Sequence, residues 1–95
     1  MYSNEHTLQD LLKQVYKKLD MEDTVNEIEV IRCYKLIVGD LISRLTWSVK
    51  FKDGVLTAQL ASAALRQELF YRRNSLVEKI NESLGRNVVR EIRFV

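Results

Sequence analysis

Apolar and polar residues alternate one by one through Thr46–Ala61, TWSVKFKDGVLTAQLA, and recur at three- to four-residue spacing on either side of it. The alternation predicts two strands, and Asp53-Gly54 between them predicts the turn. A type I′ turn needs positive φ at both central residues, which this dipeptide tolerates. The turn then pairs Lys52 with Val55, Phe51 with Leu56, Val49 with Ala58 and Trp47 with Leu60. In that register Trp47, Val49, Phe51, Leu56, Ala58 and Leu60 share a core face. Ser48, Lys50, Lys52, Val55, Thr57 and Gln59 share the opposite, polar face.

Before the hairpin the period is helical. Leu8, Leu11, Leu12, Val15 and Leu19 predict a first helix over Thr7–Leu19, with Thr7 as N-cap. Asp20–Asp23 reads as a polar break. Ile28, Ile31, Tyr34, Val38, Leu41, Ile42 and Leu45 predict a second helix over Val25–Arg44, opened by a Thr24/Glu27 capping box. Val30, Cys33 and Ile37 widen its stripe, so it is expected to be buried on more than one side. Gly39 inside it costs about 1 kcal/mol relative to alanine. Close approach of a neighbouring backbone is the first explanation for it, and a kink the second.

After the hairpin, Ser62 is the expected N-cap of a long helix reaching Leu84, with a stripe of Leu65, Leu69, Leu76, Val77, Ile80 and Leu84 and a stop at Gly85. Asn87–Val95 predicts a last strand with Ile92 and Phe94 facing inward and Glu91 and Arg93 outward. The order is α-α-β-β-α-β. The fold class is therefore α+β, a three-stranded sheet covered on one face by helices. Which hairpin strand the last strand joins is left open. Residues 1–95 show no repeat, no low-complexity stretch and no linker, so one domain is expected.

Composition narrows the class. With 46% apolar residues the chain is globular rather than disordered, and no apolar run is long enough to span a bilayer. The start, MYSNEHTLQD, lacks the pattern of a secretory signal. Cys33 is alone, so no internal disulfide forms and a reducing, cytoplasmic location is expected. The net charge of +2 hides an asymmetry. Residues 1–49 hold six Lys/Arg against eight Asp/Glu; residues 50–95 hold nine against five. A basic second half is what a polyanion-binding surface needs, although a solvated helix face has the same composition.

Several segments, taken together and in order, resemble the DciA family, a bacterial family first catalogued as a domain of unknown function. They are Tyr34-Lys35-Leu36-Ile37-Val38-Gly39, Thr46, Asp53-Gly54-Val55-Leu56, Ser62–Leu69 (SAALRQEL), Ile80-Asn81 and Leu84-Gly85. Leu8-Gln9-Asp10-Leu11-Leu12 fits the opening of the shorter members, and the resemblance runs from Leu8 to Phe94. It implies a KH-like fold and a part in replication initiation, where such proteins assist loading of the replicative helicase. It also implies DNA binding by the globular part. Tyr34 stands where the family has a tryptophan five residues before the glycine. Longer members add a flexible basic extension that this chain lacks, so nucleic-acid binding is the better supported half of the expectation.

The candidate nucleic-acid contacts are Lys50, Lys52, Arg66, Arg72, Arg73, Lys79, Arg86 and Arg93. Arg66 and Arg73 are seven apart and share a side of an unbroken helix. Arg72, Lys79 and Arg86 repeat the interval, with Glu82 between the last two. Lys50 and Lys52 share the outer hairpin face, which Arg93 can join. Such cations release counterions from a phosphate backbone. Tyr2, Phe70 and Tyr71 are candidate base-stacking rings, though packing against the first helix is the plainer reading for Phe70 and Tyr71. Trp47 is expected in the core. A KH domain grips nucleic acid with a GxxG loop. The chain has none, so another surface must serve, with little sequence preference.

Catalysis finds no constellation. His6 is the sole histidine, Cys33 sits on an apolar helix as a buried inert thiol, and Asp20, Glu22 and Asp23 lack the spacing of a calcium loop. No cofactor, metal or small-molecule substrate is called for, and no membrane partner. The expected function is that of a non-enzymatic DNA-binding module, for double- or single-stranded DNA without sequence preference, with the replicative helicase as a second partner. A protein-interaction adaptor without nucleic-acid binding is the alternative, and RNA in place of DNA a weaker one.

Overall fold

The computed structural model describes Leu11 and residues 22–95. The predicted helix over Thr7–Leu19 otherwise lies outside the described residues, as do Tyr2 and His6. The described elements are α1 (Glu22–Val38), α2 (Asp40–Arg44), β1 (Thr46–Lys52), β2 (Val55–Leu60), α3 (Ala63–Tyr71), α4 (Arg73–Leu84) and β3 (Glu91–Phe94). The fold is α+β. The sheet has the order β1-β2-β3, antiparallel between β1 and β2 and parallel between β2 and β3. Leu56, Ala58, Leu60 and Ile92 on its inner face are buried in one cluster with Val30 and Tyr34 of α1, Leu69 of α3 and Leu76 and Ile80 of α4.

The hairpin forms around the expected turn. Asp53 and Gly54 both have positive φ, 52° and 80°, as a type I′ turn requires. The pairs Lys52–Val55, Phe51–Leu56, Lys50–Thr57 and Val49–Ala58 all hold. Beyond Ser48–Gln59 the register shifts, and Leu60 lies opposite Thr46 instead of Trp47. Trp47 is the extra residue of a β-bulge and is 68% exposed, not in the core. A polar bond accounts for the exchange. The Thr46 hydroxyl donates to the Ile42 carbonyl at 2.7 Å. Its only proton is thereby used, so the Tyr34 hydroxyl is the donor in the 3.2 Å contact with Thr46 Oγ1. Thr46 must point inward to complete this chain, and alternation resumes only after an additional residue.

Both long predicted helices are interrupted. Gly39, at φ 91° and ψ 168°, separates α1 from α2. A Cβ added there would meet no atom within 4 Å, so close approach of a backbone is not its reason. Its reason is the break itself, since only glycine adopts this conformation readily. The second interruption is at Arg72, with φ −97° and ψ 5°, between α3 and α4. At the start of α3 the Ser62 hydroxyl accepts from the Leu65 N–H at 3.1 Å, as expected of the N-cap. The expected box at Thr24 is different: α1 is already helical at Glu22, and a capping residue must have non-helical backbone. Neither Thr24 as a cap nor a polar break continuing to Asp23 describes this chain. Cys33 is half-buried rather than enclosed.

The open pairing question is answered at the turn. The Gly54 carbonyl accepts from the Arg90 N–H at 2.8 Å and the Glu91 N–H at 3.2 Å. Those bonds start β3 alongside β2, with Val55 opposite Glu91, Leu56 opposite Ile92 and Ala58 opposite Phe94. Ile92 is buried and Arg93 exposed, as the alternation predicts.

Two measurements check these conclusions. Gly39→Ala is expected to lower the unfolding free energy by about 1–3 kcal/mol in urea denaturation, all of it backbone strain. Burial raises the Tyr34 pKa. The folded chain thus keeps the phenol proton to higher pH than the unfolded chain does. This contribution is whole below the unfolded value of about 10 and is lost as pH rises through the folded value. A pH series of melting temperatures should fall off above about pH 10, less steeply in Tyr34→Phe, which costs about 1 kcal/mol at neutral pH through the lost hydrogen bond.

Candidate nucleic-acid interface

The strand register decides which cations stand together. Lys50, Thr57 and Arg93 form one row across β1, β2 and β3, and Lys52, Val55 and Glu91 form the next. Lys50, Lys52 and Arg93 are exposed on the face away from the helices. Arg93 Nε lies 3.1 Å from Glu91 Oε1 on the same strand. Exposed pairs of this kind contribute about 0–1 kcal/mol and open readily to a competing anion. Among the described residues no carboxylate lies within ion-pair distance of Lys50, Lys52, Arg66 or Lys79.

The connection after α4 brings further cations to this end of the sheet. Gly85 ends α4 in the left-handed conformation. Asn81 of α4 then fixes the departing backbone. Its Oδ1 accepts from the N–H groups of Val88 at 3.0 Å and Val89 at 2.9 Å, and its Nδ2 donates to the Val89 carbonyl at 2.9 Å. One amide thus supplies three partners to a backbone segment whose Val89 is buried. Held in this way, Arg86 reaches across to α1, donating to Glu29 Oε2 at 2.7 Å and Asn26 Oδ1 at 2.6 Å. Arg90 lies over the hairpin turn and donates from Nη2 to the Asp53 carbonyl at 3.0 Å. A Cβ at Gly54 would stand 3.3 Å from Arg90 Cβ, so the arginine stem and the turn are in contact.

Between the start of α1, the turn and this connection opens a groove of about 800 Å³. Lys50, Lys52 and Arg86 line it, as do Glu27 and Asp53. Three of the expected contacts therefore meet in one concavity, and Arg93 lies on the adjoining open face. Sequence reasoning missed Arg90 and Asn81. Arg90 meets the turn from 37 residues away, a contact with no local signal. Asn81 carried only its place in the family resemblance.

The other four candidates lie on the helical layer. Arg66 is half-buried on α3. Arg72 occupies the break and lies 3.2 Å from Glu68. Arg73 donates to the Phe70 carbonyl at 2.9 Å, and its guanidinium sits 4.0 Å above the Phe70 ring. Lys79 is exposed on α4. The seven-residue intervals assumed one continuous helix. The break at Arg72 and the end of α4 at Leu84 interrupt it, so no single helical stripe runs from Arg66 to Arg86. Phe70 and Tyr71 are both exposed and meet edge to face, with centroids 6.2 Å apart.

Among the described residues no group of three or more His, Cys, Asp or Glu side chains could hold a metal, and no helix is long and apolar enough to cross a membrane. The architecture is that of a small α+β module that, among the described residues, carries Lys50, Lys52 and Arg93 exposed on the sheet. The chain belongs to the DciA family: the family model described as "Dna[CI] antecedent, DciA" matches residues 7–94, nearly its whole length. That family is associated with loading of the replicative helicase in replication initiation. A comparison with curated proteins found no match.

Asn81→Ala is expected to leave the Val89 N–H and carbonyl without their side-chain partner, while the Val88 N–H keeps only its 3.1 Å bond to the Arg86 carbonyl. Stability should fall by about 1–3 kcal/mol, and amide exchange at Val88 and Val89 should quicken before the rest of the sheet opens.

Proposed function

We propose that this chain is a single non-enzymatic module that binds DNA in the service of helicase loading. The observation that carries the reading is the convergence at the hairpin end. Lys50 and Lys52, with no carboxylate at ion-pair distance among the described residues, share a groove with Arg86, and Arg90 and Arg93 lie on the adjoining surfaces. The cations suit phosphates. The binding is therefore of low sequence preference and steeply salt-dependent. Arg66, Arg72, Arg73 and Lys79 form a second, helical group that extends the contact along a longer DNA. The exposed pair of Phe70 and Tyr71 gives that group rings on which unpaired bases can stack.

The replicative helicase is the second partner. Exposed apolar side chains favour a protein contact in addition to DNA: Leu36 is 75% exposed, Leu41 72% and Tyr71 74%. Tyr71 is of the type that anchors protein interfaces, and the two leucines add apolar area to a contact.

Fluorescence anisotropy with labelled single- and double-stranded oligonucleotides over a salt series tests the DNA reading. Lys50→Gln/Lys52→Gln is expected to weaken binding and to reduce the log–log salt slope by about 1.8 for duplex and about 1.4 for single strands, as expected for two lost phosphate contacts. Arg72→Ala/Arg73→Ala measures the helical group in the same way. Binding that does not respond to salt, or none at low salt, would overturn the reading.

A further inference from the structure

β1 is a terminal strand of the sheet, and among the described residues its outer edge pairs with no other strand. A two-residue turn closes on a hydrogen-bonded pair, here Lys52–Val55, and bonded and non-bonded pairs alternate from it. Val49 and Phe51 occupy non-bonded positions, so their N–H and C=O groups point away from β2. Among the described residues no other backbone bond reaches them. The edge is flanked by Lys50 and Lys52, neither paired with a carboxylate among the described residues. At its beginning the bulge turns out Trp47, the one tryptophan of the chain. A bare edge, an apolar ring and two uncompensated ammonium groups thus lie along five or six consecutive residues.

We infer that β1 receives an extended, acidic segment of a protein partner as a fourth strand. Its backbone bonds to Val49 and Phe51, its carboxylates lie beside Lys50 and Lys52, and an apolar residue at one end covers Trp47. The chemistry selects this occupant. A second copy of the chain added antiparallel would set its own lysine-bearing strand against Lys50 and Lys52, and like charges on neighbouring strands repel. A neutral strand would leave both ammonium groups uncompensated. Edge lysines also serve to keep strands from associating indiscriminately, and an acidic partner is the kind that such a guard admits. The inference does not rest on the DNA reading, because it concerns the backbone edge and the exposed tryptophan.

Trp47 reports directly. The probe is an acetylated, amidated peptide of about eight residues alternating glutamate and valine, the length of an ordinary strand. Two controls accompany it: the same peptide N-methylated at alternate amides, and a peptide alternating lysine and valine. The glutamate peptide should shift Trp47 emission to the blue in a saturable titration and slow amide exchange at Val49 and Phe51. Affinity should fall about tenfold with the N-methylated peptide, with the lysine peptide, and with the glutamate peptide on Lys50→Gln/Lys52→Gln protein. Those two substitutions are on exposed side chains, and circular dichroism checks that the fold is intact. No shift with the glutamate peptide would mean that the lysines are edge guards alone, and would overturn the inference. Equal binding of the N-methylated peptide would reduce it to charge attraction without strand addition and overturn it too. An oligonucleotide that gives the same blue shift and the same protection at Val49 and Phe51 would assign the edge to nucleic acid instead. The anisotropy series reads DNA binding separately, so either reading can fail without the other.

Discussion

The carbonyl of Gly54 is the hinge of the architecture. By accepting from both Arg90 and Glu91 it joins the most local structure in the chain, the hairpin, to the most distant segment. It starts β3 beside β2 in the register that the bonds of Val95 to Ala58 and Leu60 continue, and it brings the connection bearing Arg86 and Arg90 over the turn. The glycine also lets the Arg90 stem approach, since any Cβ there would press on it. Asn81 makes the complementary contribution from the helical side, supplying strand-like partners to backbone that has not yet reached the sheet. A turn chosen for its backbone angles and one amide on a helix together set the geometry of the basic surface.

Much of the fold was legible because it is locally encoded. The Asp53-Gly54 turn, the four pairs nearest to it, the Ser62 cap and the stop at Gly85 follow from short-range rules and appear as expected. The misreadings have long-range causes. Trp47 fits the apolar alternation, yet the Tyr34–Thr46–Ile42 hydrogen-bond chain claims the inward position for Thr46. Gly39 announced an irregularity, and the choice between approach and break needed its surroundings. Arg72 has neither glycine nor proline beside it, and the apolar stripe from Leu69 to Leu76 runs on across it, so periodicity did not mark the break.

The candidate site shows the same division. Sequence supplied the roster of cations but not their company. Arg86 is bound to Glu29 and Asn26 of α1, and Arg90 to the turn. Contacts that distant leave no periodic trace. Lys50, Lys52, Arg86, Arg90 and Arg93 lie on or beside the hairpin end of the sheet, whereas Arg66, Arg72, Arg73 and Lys79 are spread along α3, the break and α4. Lys50 and Lys52 belong both to the open face and to the free edge. A polyanion on the face and a strand at the edge would draw on the same two charges, so each would weaken the hold of the other.

The two seams of the sheet differ in a way that bears on how the chain reaches its native state. The β1–β2 seam is closed by two residues and can zip on the microsecond scale. The β2–β3 seam has to close over α3 and α4, both of which lie between its strands in the chain. Parallel pairing across so long an intervening stretch is slow. In that interval β2 shows its second side bare, with Leu56, Ala58 and Leu60 uncovered. The chain is then most open to association with its neighbours, and β3 is the segment whose arrival ends the exposure.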